Sequence, residues 1–158
     1  MSKTKYQQGF SLIELLIVVA IIAILAAIAV PNLLASRRAA NEGSAQSSIR
    51  TIHSCEALYR ATTANGSYGT LDDLRGQFLT DSVLASGSKS GYLFAANPTS
   101  TGIAAQYYST AVPDTTSGFG QSGTRRFAMV EDGVQRGDTS FAVPADHATV
   151  TGMQPLNN

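Results

Sequence analysis

Glu14 is the only side chain able to carry a charge between Leu12 and Val30, and every other residue of that stretch is apolar. A carboxylate among lipid tails costs on the order of 2.5 to 3.5 kcal/mol on insertion scales, so such residues usually mark function, here the pairing of a cation. A plainer reading competes: five residues beyond Gly9, the group would lie near a membrane surface and reach water at little cost. The other candidates for chemistry are weaker. His53 and Cys55 would make a thiol–imidazole pair, but two residues apart on a helix they point to different faces. Asp146-His147 lacks an evident serine partner. Asp114, Asp132 and Asp138 would bind calcium together with backbone carbonyls, yet no recognisable calcium loop surrounds them. Arg37-Arg38 and Arg125-Arg126 are pairs rather than patches and read as solvated faces. These residues imply no catalytic constellation, no metal and no cofactor.

Composition narrows the classes further. Of 158 residues 44% are hydrophobic and only 14% are charged, against roughly 25% charged in ordinary globular chains. Eleven Lys plus Arg balance eleven Asp plus Glu, which argues against a nucleic-acid footprint or an acidic disordered tail. A lone cysteine, Cys55, closes no internal disulfide, and two histidines, His53 and His147, support no multi-histidine centre.

The low charge has one source. Leu15 to Val30 contains no polar side chain, and as a helix Phe10 to Val30 would extend roughly 31 Å, the thickness of a bilayer's hydrocarbon core. The segment is apolar all round, whereas the core helix of a soluble protein shows one apolar stripe. It reads as a secretory signal peptide, as a plain anchor, or as an anchor with a further role. Lys3 and Lys5 suit the basic start of a signal peptide, and Ala26, Ala27 and Ala29 imitate its cleavage region. Against that reading, the run is long and helix continues past Pro31. Charge leaves orientation open, because Lys3 and Lys5 before the span balance Arg37 and Arg38 after it.

Gly9-Phe10-Ser11-Leu12-Ile13-Glu14-Leu15 resembles the processing site of type IV prepilins and related pseudopilins. The resemblance covers about the first 55 residues, with glycine, aromatic, glutamate, apolar run and Pro31 in register. It implies that a membrane peptidase cuts between Gly9 and Phe10, releasing the leader Met1 to Gly9, and that the same enzyme methylates the new amine of Phe10. Glu14 then stands at the family's glutamate position and Pro31 at its helix-kinking proline. In the family's assembly model the glutamate meets the amino terminus of a neighbouring subunit. On a helix it would also share a face with the amine of its own chain, four residues away. Either pairing relieves a carboxylate that is costly when unpaired in an apolar bundle, and it sets axial register. The resemblance further implies leader in the cytoplasm, head outside, and an assembly platform driven by an ATPase. The absence of a cysteine pair departs from pilins whose C-terminal loop is closed by a disulfide.

Moving such a helix from lipid into a fibre gains little hydrophobic energy, so close packing must supply specificity. Small residues permit it: Ala20, Ala23, Ala26, Ala27 and Ala29 are spread through the run, and Ala23 with Ala27 makes a small-xxx-small pair. Pro31 predicts a bend or local melting near Ala27 to Pro31. Beyond it Ala45, Ile49, Ile52, Cys55 and Tyr59 recur at helical spacing, with Arg37, Arg38, Asn41, Glu42, Gln46, Ser48, Arg50 and Arg60 on other faces. Asn65-Gly66 is a stop signal. A helix from Phe10 to about Thr63 would extend roughly 80 Å, more than a small domain needs, so half of it should project.

The remainder predicts a small antiparallel sheet. Thr70 and Asp73 approximate a capping pattern for a short helix near Leu71 to Arg75. Gly91 to Ala96 and Ile103 to Val112 read as strands joined by a turn at Asn97-Pro98. Arg126 to Glu131 and Val134 to Arg136 flank Asp132-Gly133, a two-residue hairpin signal. Ser, Thr and Gly are dense from Thr99 to Thr124, as in exposed loops.

The fold class is therefore α+β, a long N-terminal helix packed at its C-terminal half against a small antiparallel sheet. The expected organisation is a leader at 1–9, a membrane and filament-core helix at 10–31, its amphipathic continuation at 32–65 and a globular head at 66–158. The expected function is a structural subunit, an enzyme's substrate rather than an enzyme. It would be anchored in the bacterial inner membrane as a precursor and polymerised into a surface pilus for adhesion, motility or DNA uptake. A secretion pseudopilin or minor pilin ranks second, and a secreted enzyme or binding domain behind an ordinary signal peptide last.

Overall fold

A computed structural model describes residues 9–62, 66–99 and 105–156. Its elements run α1 (Leu12–Thr62), α2 (Leu71–Leu74), α3 (Ser82–Ala85), β1 (Ser88–Lys89), β2 (Tyr92–Thr99), β3 (Gln106–Pro113), β4 (Arg126–Val130), β5 (Gln135–Asp138) and α4 (His147–Thr151). The five strands form an antiparallel meander in sequence order. Contacts divide the chain into two compact units with the boundary between Ser36 and Arg37.

The first unit is helical from Leu12 onward and its apolar side chains are exposed: Leu16, Ile22 and Ile28 retain 60%, 58% and 64% of their accessible surface. Helix is unbroken through Pro31, so the expected melting does not occur. Proline offers no N–H to Ala27, and at the next residue the Asn32 side-chain Nδ2 donates to the Ile28 carbonyl at 3.1 Å.

In the second unit one stripe of α1 supplies the core. Ala45, Ile49, Ile52 and Cys55 are buried against Leu74, Leu79, Leu84, Tyr92, Phe94, Ala111, Phe127 and Met129, with Tyr59 half-buried beside them. Full burial of a side chain such as Ile49 or Ile52 contributes about 1.5–3 kcal/mol. Strand alternation lets β4 serve two layers: Phe127 and Met129 join this core, while Ala128 and Val130 pack with Val150 and Met153 around α4.

Thr70 caps α2 as expected, its side chain accepting from the Asp73 amide while Asp73 accepts from the Thr70 amide. The Asn97-Pro98 turn is a correction, since both residues lie inside β2, paired with Tyr108 and Tyr107. β1 reaches only Leu93, which leaves the rest of β2 an edge where a missing N–H is tolerated. Ile103 lies outside the described residues, as does Asn65. The β4–β5 hairpin forms, but through four residues, 131–134, instead of two. There the Gly133 amide bonds the Val130 carbonyl, the Asp132 carboxylate accepts from Val134, and Gly133 takes φ +72, which suits glycine.

Residues 114–125 join β3 to β4 as a loop with a fixed base. Asp114 N–H bonds the Gly91 carbonyl at 2.9 Å, Ser122 N–H bonds Thr115 at 3.0 Å, and the Tyr92 hydroxyl donates to the Arg125 carbonyl at 2.8 Å. A Cβ at Gly123 would fall 1.9 Å from that hydroxyl, so glycine is required. At the loop's far end Phe119 is 85% exposed.

Candidate functional site

Gly9 and Phe10 precede the helix, non-helical and exposed. A Cβ at Gly9 would meet nothing within 4 Å among the described residues and its φ is outside the left-handed region, so no packing among them demands glycine. The helix starts with Ser11 as its N-cap residue, and the Ser11 N–H donates to Glu14 Oε2 at 2.8 Å. Glu14 occupies the third helical position, where a carboxylate reaching back to the cap satisfies a donor that the first turn leaves open. The helix dipole favours a negative charge there as well. The sequence signal for this second role is the spacing Ser11-x-x-Glu14 itself. Ala23 and Ala27 lie one turn apart on the exposed surface of the same unit, and Pro31 lies further along it. This helix is long and apolar enough to cross a membrane.

The other sequence candidates are not brought together. His53 Nδ1 lies 2.5 Å from the Tyr107 hydroxyl, while the Cys55 thiol donates to the Phe78 carbonyl at 3.2 Å. Burial, reinforced by Glu56, pushes that thiol's pKa up and away from a reactive thiolate. Asp146 caps α4 through the Thr149 amide and hydroxyl, both at 2.7 Å, and His147 Nε2 meets the Glu131 carboxylate at 2.9 Å. Asp132 pairs with Arg136 at 2.6 Å and Asp138 with Arg126 at 2.7 Å; Arg126 also donates to the Ala142 carbonyl. Among the described residues no three His, Cys, Asp or Glu side chains are placed to hold a metal ion.

Two residues that sequence reasoning put on polar faces or passed over are buried on α1. Glu42 holds the base of the 114–125 loop, accepting from Thr124 N–H at 2.7 Å, Thr124 Oγ1 at 2.6 Å and the Arg125 guanidinium at 3.1 and 3.2 Å. Burial acts to raise its pKa, but these bonds win and hold the carboxyl below the usual range. Glu56 is fully buried, with Oε2 accepting from Gly69 N–H at 3.0 Å. Positions 42, 45, 49, 52 and 56 follow at alternating spacings of three and four, so both carboxylates fall on the same face of α1 as the apolar stripe.

A long amino-terminal helix packed through its later turns on a five-stranded antiparallel sheet is a pilin-like architecture. Residues 4–30 match the family described as the prokaryotic N-terminal methylation motif. The chain is 71% identical over 35 residues to the type IV wide pilus major component PilA4 of Thermus thermophilus, a match covering 22% of this chain and 27% of that one. It is 36% identical over 72 residues to the type II secretion system core protein G of Vibrio cholerae, covering 46% and 48%. The chain thus spans about a quarter to a half of the length of these curated relatives. No solved structure matches significantly. The chain carries a prepilin-type amino terminus and is homologous to both a type IV pilin and a secretion pseudopilin.

Proposed function

We propose that this chain is a prepilin, clipped between Gly9 and Phe10, methylated on the Phe10 amine by the same membrane peptidase, and polymerised through its apolar helix into a type IV pilus. The observation that carries the reading is the first unit, an apolar helix exposed on all sides with one carboxylate in its opening turn. Such a surface needs lipid before assembly and neighbouring helices afterwards. Gly9 supports the cleavage point, because a glycine that no packing among the described residues requires is free to serve a peptidase's narrow cleft. Before cleavage Glu14 has the Ser11 amide as its partner; cleavage creates a cationic amine at Phe10 that answers its charge, in its own chain or a neighbour's. Ala23 and Ala27 permit close helix approach, and Pro31 marks where the helix tolerates a lost hydrogen bond. Partners are then further copies of the chain, the peptidase, and an ATPase-driven assembly platform in the inner membrane, with the finished fibre on the cell surface.

The pseudopilin reading keeps a specific support, since the secretion relative matches more of the chain than the pilus relative does. Abundance in fibres sheared from cells favours the pilus subunit, and absence from them favours the pseudopilin. The intact mass of the membrane-extracted protein tests both at once: it should equal Phe10 to Asn158 plus one methyl group. A start beyond Ala26 would instead mean an ordinary signal peptide and end the filament reading. Glu14→Ala should leave cleavage and methylation largely intact, its mass shifted only by the substitution itself, while depleting fibres, and normal fibres would remove the register role of Glu14.

A further inference from the structure

We propose that Glu56 is a proton-operated latch: neutral, it lets the connection from Gly66 to Thr70 lie closed over the last turns of α1, and ionised, it drives that connection off. Glu56 has no exposed surface, its Oε2 accepts a single bond from Gly69 N–H, and its Oε1 accepts none. A buried carboxylate with one neutral donor and no cation is strongly disfavoured, whereas the acid form loses little by that arrangement.

The surroundings offer no compensating charge among the described residues. On α1, His53 is engaged with the Tyr107 hydroxyl, and Arg60 donates to the Tyr68 hydroxyl at 2.7 Å with its guanidinium 5.0 Å from that ring's centre. Cys55 is the neighbouring titratable group and remains a thiol. From the connection come Tyr68, its ring tilted 42° to that of Tyr107 with centres 4.5 Å apart, and the Gly69 amide. From α2 comes Asp73, a second negative charge kept ionised by its bonds to Thr70. From β3 comes Tyr107, whose hydroxyl burial, and next the charge of Glu56, push upward. Burial, supported by Asp73 and only partly offset by the Gly69 bond, pushes the Glu56 carboxyl up to about 7.

The hinge side of the latch is tight. A Cβ at Gly69 would lie 3.0 Å from both the Tyr59 ring and Asp73, so the connection packs closely against α1 and α2 at this point. Because the folded carboxyl titrates above the ordinary value of 4.5, the closed form is fully favoured below that value and loses its advantage as pH rises through about 7.

The test uses the full chain in detergent micelles. Protection of the Gly69 and Thr70 amides, corrected for intrinsic exchange, should fall on the order of a hundredfold between pH 5 and pH 8. In Glu56→Gln it should stay level, because the amide still accepts from Gly69 and cannot ionise. The variant keeps every other titratable group, so an equal fall in both proteins assigns the effect to a group other than Glu56 and overturns the latch, as does a level wild type. Should the variant fail to fold, a carbon-13 titration of the Glu56 carboxyl decides: a midpoint near 7 supports the proposal, and one below 5 overturns it.

Discussion

The two units treat the surface of α1 in opposite ways. From Leu12 to Val30 the helix is apolar on every side and exposed, with one carboxylate in its first turn. From Arg37 on, the apolar part narrows to a single stripe that the chain's own sheet covers, with two buried glutamates, Glu42 and Glu56, on the same face. A stripe can be covered by one sheet; a surface apolar around its whole circumference needs lipid or several neighbours at once. The same principle separates the acidic groups. Glu42 is answered inside the chain by Thr124 and Arg125, while Glu14 has the Ser11 amide and no cation within the described residues.

Ile52→Ala is the largest expected break in that contrast, costing about 2–5 kcal/mol of head stability by thermal or denaturant unfolding, whereas Ile22→Ala should leave the same transition unmoved. An equal loss at both positions would mean that the first unit is covered by its own chain. Glu42→Ala comes next, at about 1–3 kcal/mol, because it strands the donors of Thr124 and Arg125. Its pH dependence has a definite sign: a carboxyl held below its unfolded value stabilises above that value, and the contribution disappears as pH falls through the acid range, opposite to Glu56. Unfolding curves of wild type and variant should therefore converge at low pH. Thr70→Ala is the smallest, about 1 kcal/mol from loss of the α2 cap, seen as a modest fall in Tm with unchanged fibre yield.

Much of this was readable in the residues because it is periodic. Ile49, Ile52 and Cys55 announced the helix stripe, Thr70 and Asp73 the cap, and Asp132-Gly133 the hairpin. Pro98 misled, since the rule against proline in strands lapses at an edge, and edges are set by pairing that sequence does not display. α3, β1 and α4 are too short to carry a period. Glu42 and Glu56 went unread as core because burial of an acid depends on partners more than ten residues away, Thr124 in one case and Gly69 in the other. At the amino terminus, spacing pointed to Glu14 and Gly9, but the capping bond from Ser11 gives the glutamate a partner before any cleavage.

The loop between β3 and β4 is fixed at one end and free at the other. Its root, where the Tyr92 hydroxyl crosses the backbone at Gly123, admits no added atom, while its crown at Phe119 touches nothing that the fold needs. Sequence drift and engineered cargo should therefore be segregated within a dozen residues: a short tag grafted at the crown rides without disturbing cooperative unfolding, and the same graft at the root does not express as a folded head.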